Sequence, residues 1–162
     1  MTSLYIELAH RFRGEAEDLD KTVERALRVW YQVNSAAVDQ DVYLDSVALN
    51  LHSFYSGLEK LFQLIADHLD NNLPSGKNWH QELLQAMGRE GDIRPALIDS
   101  DQINTLDEFR RFRHVVRNVY ATHLLPERMS TLLDALPQLW DNLQVELLAF
   151  ADFLEQLAND ET

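Results

Sequence analysis

Apolar residues recur along almost the whole chain at intervals of three, four or seven, the spacing that lines one side of an α-helix. Leu4, Leu8, Phe12, Leu19, Val23, Leu27 and Trp30 mark a first long helix, with Thr2 or Ser3 as its N-cap and an end near Asn34. Leu44, Val47, Leu51, Phe54, Leu58, Leu61, Phe62 and Ile65 line a second, from about Asp41 to Leu69, and the turn formers from Asn71 to Asn78 stop it. A short third helix runs from Trp79 to Met87 and closes at Gly88. Gly88, Gly91 and Pro95 predict a loop from Gly88 to Asn104, with one brief helical piece around Ala96 to Ile98. The fourth helix then starts at an N-cap that is either Ser100 or Thr105, the latter followed three residues on by Glu108, as in a capping box. It ends near Leu124-Leu125-Pro126, and Pro126 opens a final helix carrying Met129, Leu132, Leu136, Trp140, Leu143, Leu147, Phe150 and Leu154, which Pro137 should bend or interrupt. No run alternates as a strand would, and no repeat or low-complexity tract breaks the pattern. The expected fold is all-α: an antiparallel bundle of four to five long helices plus short ones, with residues 1–162 forming a single domain.

The fourth helix differs from the others in what its polar side carries. Between Phe109 and Tyr120 lie four arginines, His114, Asn118 and Tyr120. At about 100° per residue, Phe109, Phe112, Val115, Val116 and Val119 share one broad apolar face, and Arg110, Arg113, His114 and Arg117 are expected together on the opposite side. Tyr120 borders Arg113 and Arg117 at the edge of the stripe, so guanidinium, imidazole, amide and phenol converge on one small volume. The ordinary alternative is that these arginines pair with surface Asp and Glu. His123 falls back toward the apolar side and reads as a capping or packing residue.

Charge sharpens this contrast. The formal net charge is -13, which repels polyanions on average, so a compact Arg/His island suits one chosen phosphate rather than a general nucleic-acid coat. With no cysteine, disulfides, thiolate zinc sites and a thiol nucleophile are excluded, and a cytoplasmic location fits. The N-terminus lacks a basic region followed by an apolar run, and no stretch is apolar over the roughly 18 residues a membrane span needs, so a soluble, unexported protein is expected. Glu7, His10, Glu15, Glu59, Asp67, His68 and His80 form no metal-binding helix motif, no glycine-rich phosphate loop exists, and neither a metal nor a cofactor is expected. Trp79-His80, just past a turn, reads as a plug for the bundle end.

The motif helix resembles the signature helix of the HEPN superfamily, and specifically of HepT-like ribonuclease toxins. Their pattern is arginine, four residues of which the first is usually polar, histidine, any residue, tyrosine. Arg113, His114 and Tyr120 fit in register, and Asn118 stands where the family has histidine. Leu51 to Phe62, Pro74 to His80 and Leu83-Leu84 are similar to the middle of a HepT-like subfamily, so the resemblance covers about two-thirds of the chain. It implies a homodimer whose motif helices face each other, metal-independent cleavage of RNA, and an MNT-type nucleotidyltransferase antitoxin that adenylylates the tyrosine, here Tyr120.

Cleaving RNA without metal requires a group that takes the 2′-hydroxyl proton and a cation for the phosphorane charge. Arg113 and Arg117 suit the second task, with Arg110 available to a substrate phosphate. Asn118 cannot do the first, because an amide neither accepts nor releases a proton near neutral pH, and His114 is the nearest imidazole in the sequence. Two classes stay open. One is an RNA-cleaving toxin using His114, Arg113 and Arg117; the other is a non-catalytic or disarmed HEPN module that binds RNA or the antitoxin.

Overall fold

The computed structural model describes residues 2–118 and 126–161. Five α-helices account for most of them: α1 (Thr2–Ser35), α2 (Gln40–Leu64), α3 (Trp79–Ala86), α4 (Ser100–Asn118) and α5 (Pro126–Asp160). No strand occurs among the described residues. The all-α class expected from the periodicity is the class observed.

Hydrophobic stripes dictate the assembly. α1 packs along both α5 and α2, α4 packs against α2 and α5, and α3 fills the space beside α2 and α4. α1 and α5 run antiparallel: Phe12 meets Phe150 with ring centroids 5.3 Å apart, and farther along Asp20 accepts the Trp140 indole N–H at 2.8 Å. α1 and α2 are likewise antiparallel, joined by a short turn in which Asp39 adopts a left-handed backbone (φ 59°). At the centre Phe54 makes edge contacts with Phe109 and Trp140, which ties α2, α4 and α5 into one core.

Several boundaries moved from expectation for local chemical reasons. α2 ends at Leu64, and Ile65–Leu69 continues it as a π-helical turn whose Asp70 N–H reaches the Ile65 carbonyl at 3.1 Å. α4 begins at Ser100, capped by neither Ser100 nor Thr105. Asp99 and Gln102 instead form a reciprocal box: the Asp99 carboxylate accepts from the Gln102 N–H (2.8 Å), and the Gln102 side-chain carbonyl accepts from the Asp99 N–H (2.9 Å). Residues 100–104 are therefore helical rather than loop, and Ala96 to Ile98 form no helical piece. Pro137 lies inside α5 without interrupting it.

The connection from α3 to α4 is held by an ion pair that periodicity does not reveal. Arg94, 5% exposed, donates Nε and Nη2 to the two Asp70 oxygens at 2.7 Å each. Its remaining N–H groups reach the carbonyls of Arg89, Pro95 and Ala86, so all five donors have a partner. Gly91 lies so close that a Cβ there would sit 2.7 Å from an Asp70 oxygen.

Candidate functional site

On α4, Arg113 points inward rather than toward the outer face expected for it. A 100° step places it only about 40° from Phe109, in the same sector as Leu106 and Gln102, all of which are buried. Phe109 and the residues after it, taken alone, put the apolar stripe on one side; the first turns of α4 widen it across Arg113. Its side chain is 5% exposed.

A guanidinium at that depth needs a counter-charge, and α2 supplies one. Arg113 Nη1 donates to Glu59 Oε1 at 3.0 Å and Nη2 to Glu59 Oε2 at 2.9 Å, a two-pronged pair that satisfies both carboxylate oxygens. The same helix adds two contacts, since Tyr55 and Ser56 lie about one turn before Glu59. Arg113 stacks over the Tyr55 ring at 4.8 Å and approaches the Ser56 hydroxyl at 3.4 Å. Burial, and then the Glu59 charge, push the Tyr55 hydroxyl well above the usual phenol range. It has no hydrogen-bond partner among the described residues.

His80, in the first turn of α3, completes the cluster. Its Nδ1 lies 2.7 Å from Glu59 Oε2 and 3.0 Å from Arg113 Nη2, and its ring stacks on Trp79 at 3.6 Å. The two Nδ1 contacts compete. A carboxylate cannot donate, so the shorter one is a hydrogen bond only when Nδ1 carries the proton, and a protonated Nδ1 cannot accept from Arg113. The His80 side chain is 29% exposed, against 9% for Glu59, so the imidazole forms the rim of the cluster. Ser56 forms another edge, on a polar groove between α1 and α2 of about 340 Å³ that also touches His52 and Lys60.

The other candidates are arranged differently. Arg110 donates Nε to Asp107 at 2.7 Å, and Arg111 reaches Asp107 and Glu108, which is the ordinary pairing of helix arginines with nearby carboxylates. His114 is exposed and belongs to the outer face. The side chains of Arg117 and Asn118, together with Tyr120 and His123, lie outside the described residues. Among the sequence candidates that the structure describes, then, Arg113 is the one the fold builds into a cluster, and its partners Glu59, His80, Ser56 and Tyr55 are not candidates that spacing along α4 supplies.

Glu59 carried a legible signal. It follows Tyr55 by one turn inside the buried run from Phe54 to Phe62, where a carboxylate without a partner is costly. Nothing local announces His80, because 21 residues separate it from Glu59 and 33 from Arg113.

Among the described residues no group of three or more His, Cys, Asp or Glu is arranged to hold a metal, and no helix is long and apolar enough to cross a membrane. A family model described as HepT-like protein matches residues 46–154, which takes in α3, α4 and most of α2 and α5. Neither a curated protein nor a solved structure matches the chain.

Proposed function

The chain belongs to the HepT-like family of the HEPN superfamily, and on that footing we propose that it is a metal-independent RNA-cleaving toxin module. The supporting observation is the juxtaposition, at the family's arginine position, of an immobilised guanidinium and an imidazole: Arg113 Nη2 and His80 Nδ1 are 3.0 Å apart. Strand cleavage by the 2′-hydroxyl of RNA needs a proton acceptor and a fixed positive charge near the phosphorus, and a guanidinium held by a carboxylate cannot swing away as negative charge develops. The same proposal includes a cytoplasmic homodimer with facing motif helices, Arg110 and Arg117 on substrate phosphates, and an MNT-type nucleotidyltransferase antitoxin that silences the module by adenylylating Tyr120.

A second reading has its own support. The Arg113 fork is fully engaged by Glu59, and Asn118 occupies the family's histidine position, as suits a module that binds RNA or the antitoxin without cutting. One experiment separates the two. Purified chain is incubated with total tRNA and with a fluorescent mixed-sequence oligoribonucleotide in excess EDTA. Cleavage leaving 2′,3′-cyclic phosphate ends is expected; binding without cleavage at any enzyme concentration selects the second reading.

A further inference from the structure

Position 118 leaves the proton-accepting role open, and the fold offers two described imidazoles near Arg113. His114 follows it on α4 but belongs to the exposed outer face, whereas Arg113 points inward. His80 touches the guanidinium itself and is anchored by a second group, since Glu59 Oε2 lies 2.7 Å from its Nδ1. Trp79 fixes the ring plane by stacking on it. A carboxylate holding one imidazole nitrogen as an N–H leaves a lone pair on the other nitrogen, and the second orienting group keeps that nitrogen in one place. With Nδ1 committed to Glu59, the free lone pair of His80 is on Nε2, on a ring 29% exposed at the rim of the cluster.

We propose that His80, positioned by Glu59, is the group that takes the proton in place of a histidine at position 118. This rests on the ribonuclease reading above. His80 Nε2 removes the proton of an RNA 2′-hydroxyl as that oxygen bonds to the adjacent phosphorus. The bond from phosphorus to the 5′-oxygen breaks, the departing oxygen takes a proton from solvent, and a 2′,3′-cyclic phosphate and a 5′-hydroxyl result. His80 then returns its proton to solvent. No oxidant, reductant or further reactant is consumed. Glu59 is a positioning residue in this scheme; it also keeps Arg113 beside the reacting phosphate.

His80→Asn tests the role without dismantling the cluster. The asparagine amide nitrogen sits where Nδ1 does and can still donate to Glu59, but the residue has no basic nitrogen at the Nε2 position to accept a proton. Cleavage of the oligoribonucleotide is expected to fall by about 10²–10⁴-fold, the usual contribution of positioned proton transfer, with an unchanged melting temperature. Added imidazole should restore part of the activity of His80→Ala. Histidine ¹⁵N spectra of the wild-type chain should show His80 protonated on Nδ1, and Glu59→Gln, which can itself donate, should shift it toward the Nε2-protonated form.

A wild-type His80 protonated on Nε2 would overturn the proposal, since the outer nitrogen would hold no lone pair. Equal cleavage by wild type and His80→Asn would overturn it and leave the ribonuclease reading intact, whereas an inert wild type beside an active Asn118→His would overturn both and select the module disarmed at position 118. If wild type and Asn118→His are both inert, the ribonuclease reading fails and the role of His80 fails with it.

Discussion

Two buried arginines, each paired with a carboxylate through a two-pronged contact, serve this molecule in different ways. Arg94 meets Asp70 and then spends its remaining donors on backbone carbonyls of Arg89, Pro95 and Ala86. Arg113 meets Glu59 and then turns to side chains: the His80 imidazole, the Ser56 hydroxyl and the Tyr55 ring. A guanidinium wrapped in carbonyls can only hold a loop closed. One surrounded by groups that accept, donate or carry protons, with His80 and Ser56 on partly exposed edges, is the one to which we assign the proposed chemistry. An ion pair alone therefore does not distinguish structure from function; the other partners of the fork do.

The contrast predicts unequal stabilities, and the largest effect belongs to Arg94. Arg94→Ala strands the Asp70 carboxylate, 15% exposed, and removes the side-chain donor of the Arg89 and Pro95 carbonyls, while that of Ala86 keeps the Arg89 N–H. Unfolding free energy should drop by about 3–5 kcal/mol, measured by urea titration. A drop under about 1 kcal/mol would mean that water replaces the guanidinium and that the clasp is dispensable.

At the other cluster both charges can be removed together. Because few backbone groups depend on Arg113, the double variant Arg113→Met with Glu59→Leu should lie within about 1 kcal/mol of wild type, as buried pairs replaced by apolar residues often do. The matching Arg94→Met with Asp70→Leu should stay markedly destabilised, since the Arg89 and Pro95 carbonyls lose their side-chain donor. Equal losses in the two doubles would erase the distinction.

The smallest effect is expected where an arginine pair is open to water. Arg13 binds Glu155 and Asp152 across α1 and α5 with side chains 35%, 44% and 77% exposed. Arg13 holds the Glu155 carboxyl below the usual carboxylate range, chiefly through their hydrogen bond. A carboxyl lowered by folding stabilises the native state above its unfolded-state range and loses that contribution as pH falls through the lowered one. The difference in melting temperature between wild type and Arg13→Ala should therefore be small at neutral pH, shrink in high salt and vanish in acid. A difference that grows toward acid would contradict the pairing.

Much of the architecture was legible because helix period is a local property. α1, α2, α3 and α5 follow apolar residues spaced three and four apart, and the break between α2 and α3 falls at Asn71–Asn78. The start of α4 is set by an Asp-x-x-Gln box rather than by the Ser or Thr cap that the sequence suggests. Arg113 is the arginine in register with the motif, yet it points inward because Gln102 and Leu106 extend the buried sector of α4 across it. Its partners come from α2 and α3, and no spacing within α4 encodes which residues tertiary packing brings to it. Arg94 was missed for the same reason, its carboxylate lying 24 residues back along the chain.

Cleavage per folded molecule, measured side by side for Arg113→Lys and Arg94→Lys on the same oligoribonucleotide, tests the distinction most directly. Lysine keeps the charge at each site and removes the fork, so both variants lose comparable geometry. Arg113→Lys should lose about 10²–10³-fold, the usual effect of removing one positioned donor to a developing anion, while Arg94→Lys, corrected for its folded fraction, cleaves at the wild-type rate. Equal rates in the two variants, whether both reduced or both unchanged, would contradict the assignment of chemistry to the Arg113 cluster.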